Sequence, residues 1–161
     1  MKQLLLIRHA KSCWDDVNLN DIDRPLNKRG KKESSELGKL LKKKELFPQL
    51  IISSPAKRAS KTALKISKEL DYAKENIQIS DIIYSDNVSE MAESIHLIDN
   101  KIDRVFIIGH YPSLMELGNF LTGSSFEKFL TSGFMLINFN VKKWKEVRQD
   151  TGKVVMLTRV K

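Results

Sequence analysis

Three short apolar runs, each followed at once by polar residues, constrain the fold of this chain more than any other feature. Residues 4–7 are all Leu or Ile without helical spacing, which predicts a strand buried on both faces. Two further runs, at 50–52 and 105–108, have the same character. Such strands are typical of a parallel sheet, in which ligands bind beyond the carboxyl ends of the strands. Candidate site residues therefore follow each run, at Arg8-His9, Ser54-Pro55 and Gly109-His110.

The segments between these runs have the apolar spacing of amphipathic helices. Asn27 is the predicted N-cap of a helix that runs to about residue 44. Ser54 and Pro55 predict the start of the next helix, with serine at the N-cap and proline at the first helical position. Arg58 then falls in the first turn, where free backbone N–H groups favour an anion. Two later helices are predicted, at 87–98 and 112–122.

The alternation of strands and helices predicts the α/β class. We expect a single three-layer α/β/α domain over residues 1–161, with a mainly parallel sheet. The region 128–161 carries weaker signals, and we interpret it as edge strands at 134–139 and 154–160. Just before the first of these strands, Thr131, Ser132 and Gly133 are candidates for the rim of a pocket.

Composition narrows the classes of function. The net charge of +8 comes largely from lysines spaced as the outer faces of two helices. No aromatic residues interleave with these lysines, as a base-stacking surface would need, so no nucleic-acid partner is predicted. A single cysteine, Cys13, excludes an internal disulfide and fits a reducing compartment. Neither a signal peptide nor a membrane-spanning run is recognisable, so we expect a cytoplasmic protein without a membrane partner.

If the three predicted strands are parallel neighbours, their polar ends meet in one pocket. Arg8, His9, Arg58 and His110 would then lie together beside a helix N-terminus. Arginine does not ligate metals, so this set fits a metal site poorly, and no metal or other cofactor is predicted. Guanidinium groups match phosphoryl oxygens bidentately, and a histidine can attack phosphorus. The chemistry therefore favours phosphoryl transfer.

The same residues resemble the signatures of the histidine phosphatase superfamily, also called phosphoglycerate mutase-like. Its Arg-His-Gly signature appears as Arg8-His9-Ala10, and its Ser-Pro-x-x-Arg-Ala-x-x-Thr signature as residues 54–62. Gly109-His110 and the Arg-Pro-Leu-Asn-x-x-Gly run at 24–30 also match. The four ordered motifs span residues 1 to about 122 and are most similar to the small SixA-type phosphohistidine phosphatases.

This resemblance implies a phosphoglycerate mutase-like fold and a role for each matched residue. It implies His9 as the nucleophile that forms a phosphohistidine intermediate, without a metal. It also implies Arg8, Arg58 and His110 as ligands of the phosphoryl oxygens. Arg24 has two interpretations, as a ligand at the pocket edge or as an ion-pair partner of Asp21 or Asp23. Lys11 and Ser12 are either phosphate donors or solvated loop residues.

Two departures from the family pattern bear on the substrate. Ala10 stands where glycine is common, a change of one small residue for another that we expect to be tolerated. Only 51 residues separate Arg58 from His110, whereas larger relatives insert a cap with a glutamate that acts as general acid. Glu90 and Asp86 are the nearest candidates for that acid. Because imidazole leaves from phosphohistidine more easily than an alkoxide leaves from an ester, phosphohistidine in a protein is the expected substrate.

Other functions remain open at this point. One is a phosphatase of small phosphomonoesters, and another is a catalytically weak module that binds phosphate or phosphoproteins. A basic nucleic-acid-binding protein is disfavoured for the reason given above. Trp14 is either a rim contact for the substrate or a cover over the sheet edge, and Cys13 has no recognisable base partner.

Overall fold

Strands and helices alternate through most of the computed structural model, which describes residues 1–159. The strands are β1 Lys2–Arg8, β2 Leu50–Ser53, β3 Gln78–Ile79, β4 Arg104–Gly109, β5 Gly133–Phe139 and β6 Gly152–Arg159. The helices are α1 Lys28–Lys43, α2 Lys57–Glu69, α3 Val88–Ile95 and α4 Ser113–Thr122. No helix among these residues is both long and apolar enough to cross a membrane.

The strands form one six-stranded sheet in the order β3-β2-β4-β1-β5-β6. The first four of these are parallel, whereas β5 and β6 join antiparallel. Alternate residues of β1 face opposite layers: Leu4 and Leu6 pack in a core with α3 and α4, and Leu5 and Ile7 in a core with α1 and α2. The predicted three-layer α/β/α fold with a mainly parallel sheet is therefore confirmed.

Some local predictions need correction. The strand β5 is not an edge strand, because it pairs with β1 on one side and β6 on the other. The predicted last residue of β6, Val160, lies outside the described residues. Helix α2 begins at Lys57 rather than at Pro55, and no side chain caps it. The reason is that the N–H of Ser54 still donates to the Ile108 carbonyl, which extends the sheet pairing by one residue.

The segment after β1 is held against the start of α1. The predicted cap is confirmed, since the Asn27 side chain accepts a hydrogen bond from the N–H of Gly30 at 2.8 Å. The N–H of Asn27 in turn donates to the Lys11 carbonyl at 3.0 Å. A Cβ at Gly30 would lie 2.0 Å from that carbonyl oxygen, so only glycine allows this approach. The contact fixes the backbone two residues beyond His9.

The opposite end of β1 carries a buried lysine. Lys2 is 2% exposed, and its ammonium donates to the carbonyls of Asn100 at 2.6 Å and Ile102 at 3.0 Å and to the Asp103 carboxylate at 2.8 Å. The indole N–H of the fully buried Trp144 donates to the same Ile102 carbonyl at 2.7 Å. Each donor of the Lys2 ammonium therefore has an acceptor, as a buried charge requires.

Candidate active site

The register of the parallel strands places the carboxyl ends of β1, β2 and β4 side by side at one edge of the sheet. Arg8 pairs with Gly109 across the parallel strands, and the N–H of His9 donates to the Gly109 carbonyl at 3.0 Å. Beyond these ends lies a cavity of about 420 Å³. Of the residues singled out above for the site, its lining includes Arg8, His9, Lys11, Ser12, Arg24, Arg58, Asp86 and His110.

His9 is a buried, neutral imidazole with a defined tautomer. Its Nδ1 lies 2.7 Å from the Ala10 carbonyl oxygen, which can only accept, so Nδ1 carries the proton and Nε2 keeps its lone pair. Burial lowers the pKa of His9 to about 3; the bond to Ala10 opposes this, while His110, Arg58 and Arg8 add to it. His9 is therefore a neutral imidazole at neutral pH, with its one ring proton on Nδ1.

The backbone around His9 suits an alanine at the next position. Ala10 is fully buried, and its backbone does not adopt a positive φ, so nothing here requires glycine. The N–H of Ala10 donates to the Thr62 hydroxyl at 3.1 Å, and that hydroxyl donates to the Arg58 carbonyl at 2.7 Å. Helix α2 thus holds the segment after β1 in place.

His110 faces His9 with ring centroids 5.3 Å apart. Its Nδ1 lies 3.4 Å from a guanidinium nitrogen of Arg58, which can only donate, so its Nε2 carries the proton and donates to the Ser54 hydroxyl at 2.8 Å. Burial, followed by the charge of Arg58, lowers the pKa of His110 to about 4. Both histidines of the cavity are neutral near pH 7.

Arg58 joins the two histidines to an aspartate. Its Nε donates to His9 Nε2 at 3.3 Å, and its terminal nitrogens donate to the Asp21 carbonyl at 2.7 Å and carboxylate at 3.0 Å. Tyr84 donates to the same carboxylate at 2.7 Å. This bond from Tyr84, aided by Arg58 and Arg24, lowers the pKa of Asp21 to about 2. Asp21 is therefore ionised throughout the neutral range.

Two more arginines complete the cationic lining. A terminal nitrogen of Arg8 donates to the Phe129 carbonyl at 2.8 Å, but its buried Nε has no hydrogen-bond partner among the described residues. Arg24 donates to the Ser12 hydroxyl at 2.9 Å and to the Asp21 carboxylate at 3.2 Å. Arg24 thus pairs with Asp21 and also lines the cavity.

Comparison with known proteins identifies the family. The sequence profile of the histidine phosphatase superfamily (branch 1) matches residues 4–91. An uncharacterised chloroplast protein of Arabidopsis thaliana, At3g52155, is 31% identical over 153 residues, which are 90% of this chain and 70% of that protein. The chain belongs to the histidine phosphatase superfamily. The resemblance inferred from the four motifs is confirmed.

Other relatives and structural neighbours of the chain carry out different reactions. Phosphoglycerate mutase 1 of Saccharomyces cerevisiae is 37% identical over 65 residues, which are 39% of this chain and 26% of the mutase. The structure of the protein histidine phosphatase SixA in complex with tungstate superposes with a TM-score of 0.85, covering 98% of this chain and 96% of SixA. Its identity of 20% shows a shared fold.

Some of the remaining predicted residues line the cavity and others do not. Lys11 and Asp86 are exposed lining residues, and Ser12 is buried as the partner of Arg24. Glu90 is exposed in the first turn of α3 and does not line the cavity. Of the three candidates for the rim, only Thr131 lines it. Within residues 1–159, no three side chains of His, Cys, Asp or Glu are grouped to hold a metal ion.

Sequence reasoning missed several lining residues of the cavity. No sequence motif includes Tyr84, and Asp21 is predicted only as a partner of Arg24, although both line the cavity. Tyr111 also lines it, with the Arg8 guanidinium 5.0 Å from its ring centroid. No spacing rule connects Asp21 to Tyr84, because their contact bridges 63 positions of the chain. The adjacency of Tyr111 to His110 is the one signal that could have found it.

Proposed function

We propose that this protein is a metal-independent phosphatase that forms phosphohistidine on His9 and acts on phosphohistidine in proteins. The observation that carries the proposal is the tautomer of His9. Its Nδ1–H is held by the Ala10 carbonyl, so the lone pair of Nε2 is available inside a pocket of arginines. A neutral imidazole is a nucleophile, and surrounding guanidinium groups stabilise the charge on the phosphoryl oxygens.

In the first step, His9 Nε2 attacks phosphorus and forms a new P–N bond. The P–N bond to the substrate imidazole breaks, its electron pair stays on the leaving nitrogen, and that nitrogen takes up a proton from solvent. Arg8 and Arg58 donate to the phosphoryl oxygens, and the unpaired buried Nε–H of Arg8 is one of these donors. His110 binds a further oxygen when its Nε2–H turns from the Ser54 hydroxyl to the phosphoryl group. During this step Arg58 gives up its contact with His9 Nε2, since that lone pair becomes the new bond.

In the second step, water attacks the phosphorus of phosphorylated His9. The bond between phosphorus and Nε2 breaks, its electron pair returns to Nε2, and the water proton passes to solvent. Inorganic phosphate leaves, and the Ala10 carbonyl still holds Nδ1–H, so the ring is ready for the next attack. No cofactor takes part in either step.

The carboxylates of the cavity support a substrate with an easy leaving group. Asp21 has a pKa of about 2 and is therefore ionised and unable to donate a proton. The hydrogen bond to Asp21 raises the pKa of Tyr84, whose proton is engaged in that bond. Among the described residues, Asp86 is the only other carboxylate in the lining, and it is exposed. A site of this kind suits imidazole, which needs less protonation than an alkoxide.

The experiment compares the wild type with His9→Ala on a protein that carries phosphohistidine, with and without EDTA. We expect phosphate release by the wild type only, unaffected by EDTA, and an acid-labile phosphoryl label that His9→Ala lacks. His96→Asn is the matched control, because His96 bonds to the Val147 carbonyl and does not line the cavity. Equal activity of wild type and His9→Ala would contradict the assignment of the nucleophile.

The same assay separates the alternatives. A small phosphomonoester that is hydrolysed with higher kcat/KM than phosphohistidine would replace the proposed substrate. In that case Asp86→Asn should lower the rate on the ester, because Asp86 lines the cavity without the bonds to arginine and tyrosine that hold Asp21 ionised. Binding of phosphoprotein without any label on His9 would instead indicate a binding module.

A further inference from the structure

An exposed tryptophan lies at the mouth of the cavity. Trp14 is 69% exposed although it lines the pocket, whereas Trp144, the other tryptophan of the chain, is fully buried. A large aromatic side chain contributes most when it is covered, so an exposed one next to a site is a candidate for contact with a ligand. The feature lies outside the phosphoryl-binding groups described above.

One face of the Trp14 ring is already occupied. The guanidinium carbon of Arg24 lies 3.4 Å from the ring centroid, so the two planes stack. Arg24 is itself buried and fixed by Ser12 and Asp21. The indole therefore packs on a side chain that is held in place, and its exposed area belongs to its edges and its second face.

The path of the leaving group leads toward the mouth of the cavity. In an in-line displacement at phosphorus, the leaving nitrogen departs on the side opposite the attacking Nε2 of His9. His9 is buried whereas Trp14 of the same lining is exposed, so a substrate that enters from solvent presents its leaving group toward the exposed part of the lining. A leaving imidazole is a planar aromatic ring, and the face of a Trp ring stacks favourably on such a ring.

We infer that Trp14 is a specificity-determining residue, whose open face stacks on the imidazole ring of the substrate phosphohistidine. The inference rests on the proposed function and adds to it the reason for preferring an aromatic leaving group. A competing role would be to shield Arg24 alone. Shielding would affect every phosphoryl substrate equally, whereas stacking affects only those that carry a ring.

The test measures kcat/KM for free phosphohistidine and for phosphoramidate, which has the same P–N bond but releases ammonia. For Trp14→Leu we expect the ratio of the two constants to fall about fivefold, the size of one aromatic contact, with phosphoramidate nearly unchanged. Trp14→Phe should restore most of the ratio. Val17→Ala is the matched control, since Val17 is 90% exposed on the same loop but does not line the cavity.

Each other outcome contradicts the inference in a distinct way. Equal losses on both substrates would assign Trp14 to shielding Arg24. A loss on a phosphorylated protein but not on free phosphohistidine would assign Trp14 to the protein surface of the partner. Failure of the wild type to hydrolyse phosphohistidine while it hydrolyses an ester would overturn the proposed function itself, and the variants would then be superfluous.

Discussion

The two ends of β1 bury cations in opposite ways. At the amino end, the Lys2 ammonium has two carbonyls and a carboxylate as acceptors. At the carboxyl end, the Arg8 guanidinium bonds to one carbonyl and leaves its buried Nε without a partner among the described residues. Burial also lowers the pKa of Arg8, which marks an environment unfavourable to its charge.

This difference predicts that the amino end of β1 contributes to stability and that its carboxyl end contributes to function. A buried charge whose hydrogen bonds are all made within the protein contributes to folding and has no capacity left for a ligand. A buried donor without an internal partner costs stability but can bind an anion at once. We therefore expect substitutions at the Lys2 end to alter the free energy of unfolding and substitutions at the Arg8 end to alter activity.

The largest expected effect is the loss of activity in Arg8→Met. Removing one charged donor to the transferred phosphoryl group should lower kcat by about 100-fold. The free energy of unfolding should stay within about 1 kcal/mol of the wild type, since the Phe129 carbonyl is the only acceptor left unpaired. Steady-state kinetics measure kcat, and urea unfolding of the same preparation measures the free energy of unfolding. An Arg8→Met variant with a much lower free energy of unfolding and a normal kcat would contradict the prediction.

Lys2→Met is the matched substitution at the other end. It removes the donor to the Asn100 and Ile102 carbonyls while keeping much of the apolar volume, so we expect a loss of about 2 kcal/mol in unfolding free energy. Activity per folded molecule should be unchanged. A change in KM at a temperature where the variant is fully folded would show that the two ends are coupled.

The third prediction concerns pH. An unfolded histidine titrates near pH 6.5, whereas His9 and His110 titrate at about 3 and 4 in the folded protein. Between these folded pKa values and pH 6.5, the unfolded chain binds more protons than the folded protein. The free energy of unfolding therefore rises with pH up to about 6.5 and falls on acidification below it. Each histidine should contribute about 1 to 2 kcal/mol to the decrease between pH 7 and pH 5.

Urea unfolding at several pH values checks this dependence at both ends of the strand. His9→Gln/His110→Gln should flatten the slope between pH 7 and pH 5, because the shifted groups are gone. Lys2→Met should lower the whole curve without changing that slope. An unchanged slope in the double variant would mean that the two imidazoles are not the source of the acid sensitivity.

The smallest expected effect is at Trp144. Trp144→Phe removes the indole N–H that donates to the Ile102 carbonyl, which keeps its bond from Lys2. We expect a loss of about 1 kcal/mol, measured by urea unfolding, with no change in kcat/KM. A loss as large as that of Lys2→Met would mean that the indole, rather than the ammonium, organises this end of the strand.

The sequence predicted those parts of the fold that depend on local patterns. The apolar runs identified β1, β2 and β4, and Asn27 identified the start of α1, because strand burial and helix capping act within a few residues. Arg58 was placed correctly in the first turn of α2 even though the helix begins two residues later than expected.

Features that depend on distant contacts were not predicted. Nothing in the sequence indicates that Lys2 is buried, since its acceptors are mostly backbone carbonyls about a hundred positions away and carry no signal of residue type. The interior position of β5 depends on pairing with β1. Likewise, Asp21 reaches Arg58 and Tyr84 only after the chain has folded.

The contacts that join the two ends of the segment between β1 and α1 affect how the exposed part of that segment can change. The N–H of Cys13 donates to the Pro25 carbonyl at 2.8 Å, and Ser12 bridges to Leu26, so the two ends of the segment are tied together. Residues 15–20 extend from this base and are exposed. Lengthening an exposed loop whose ends are already joined costs little entropy. New recognition sequences could therefore be grafted at 15–20 without displacing His9, which makes this loop the natural place to exchange one substrate preference for another.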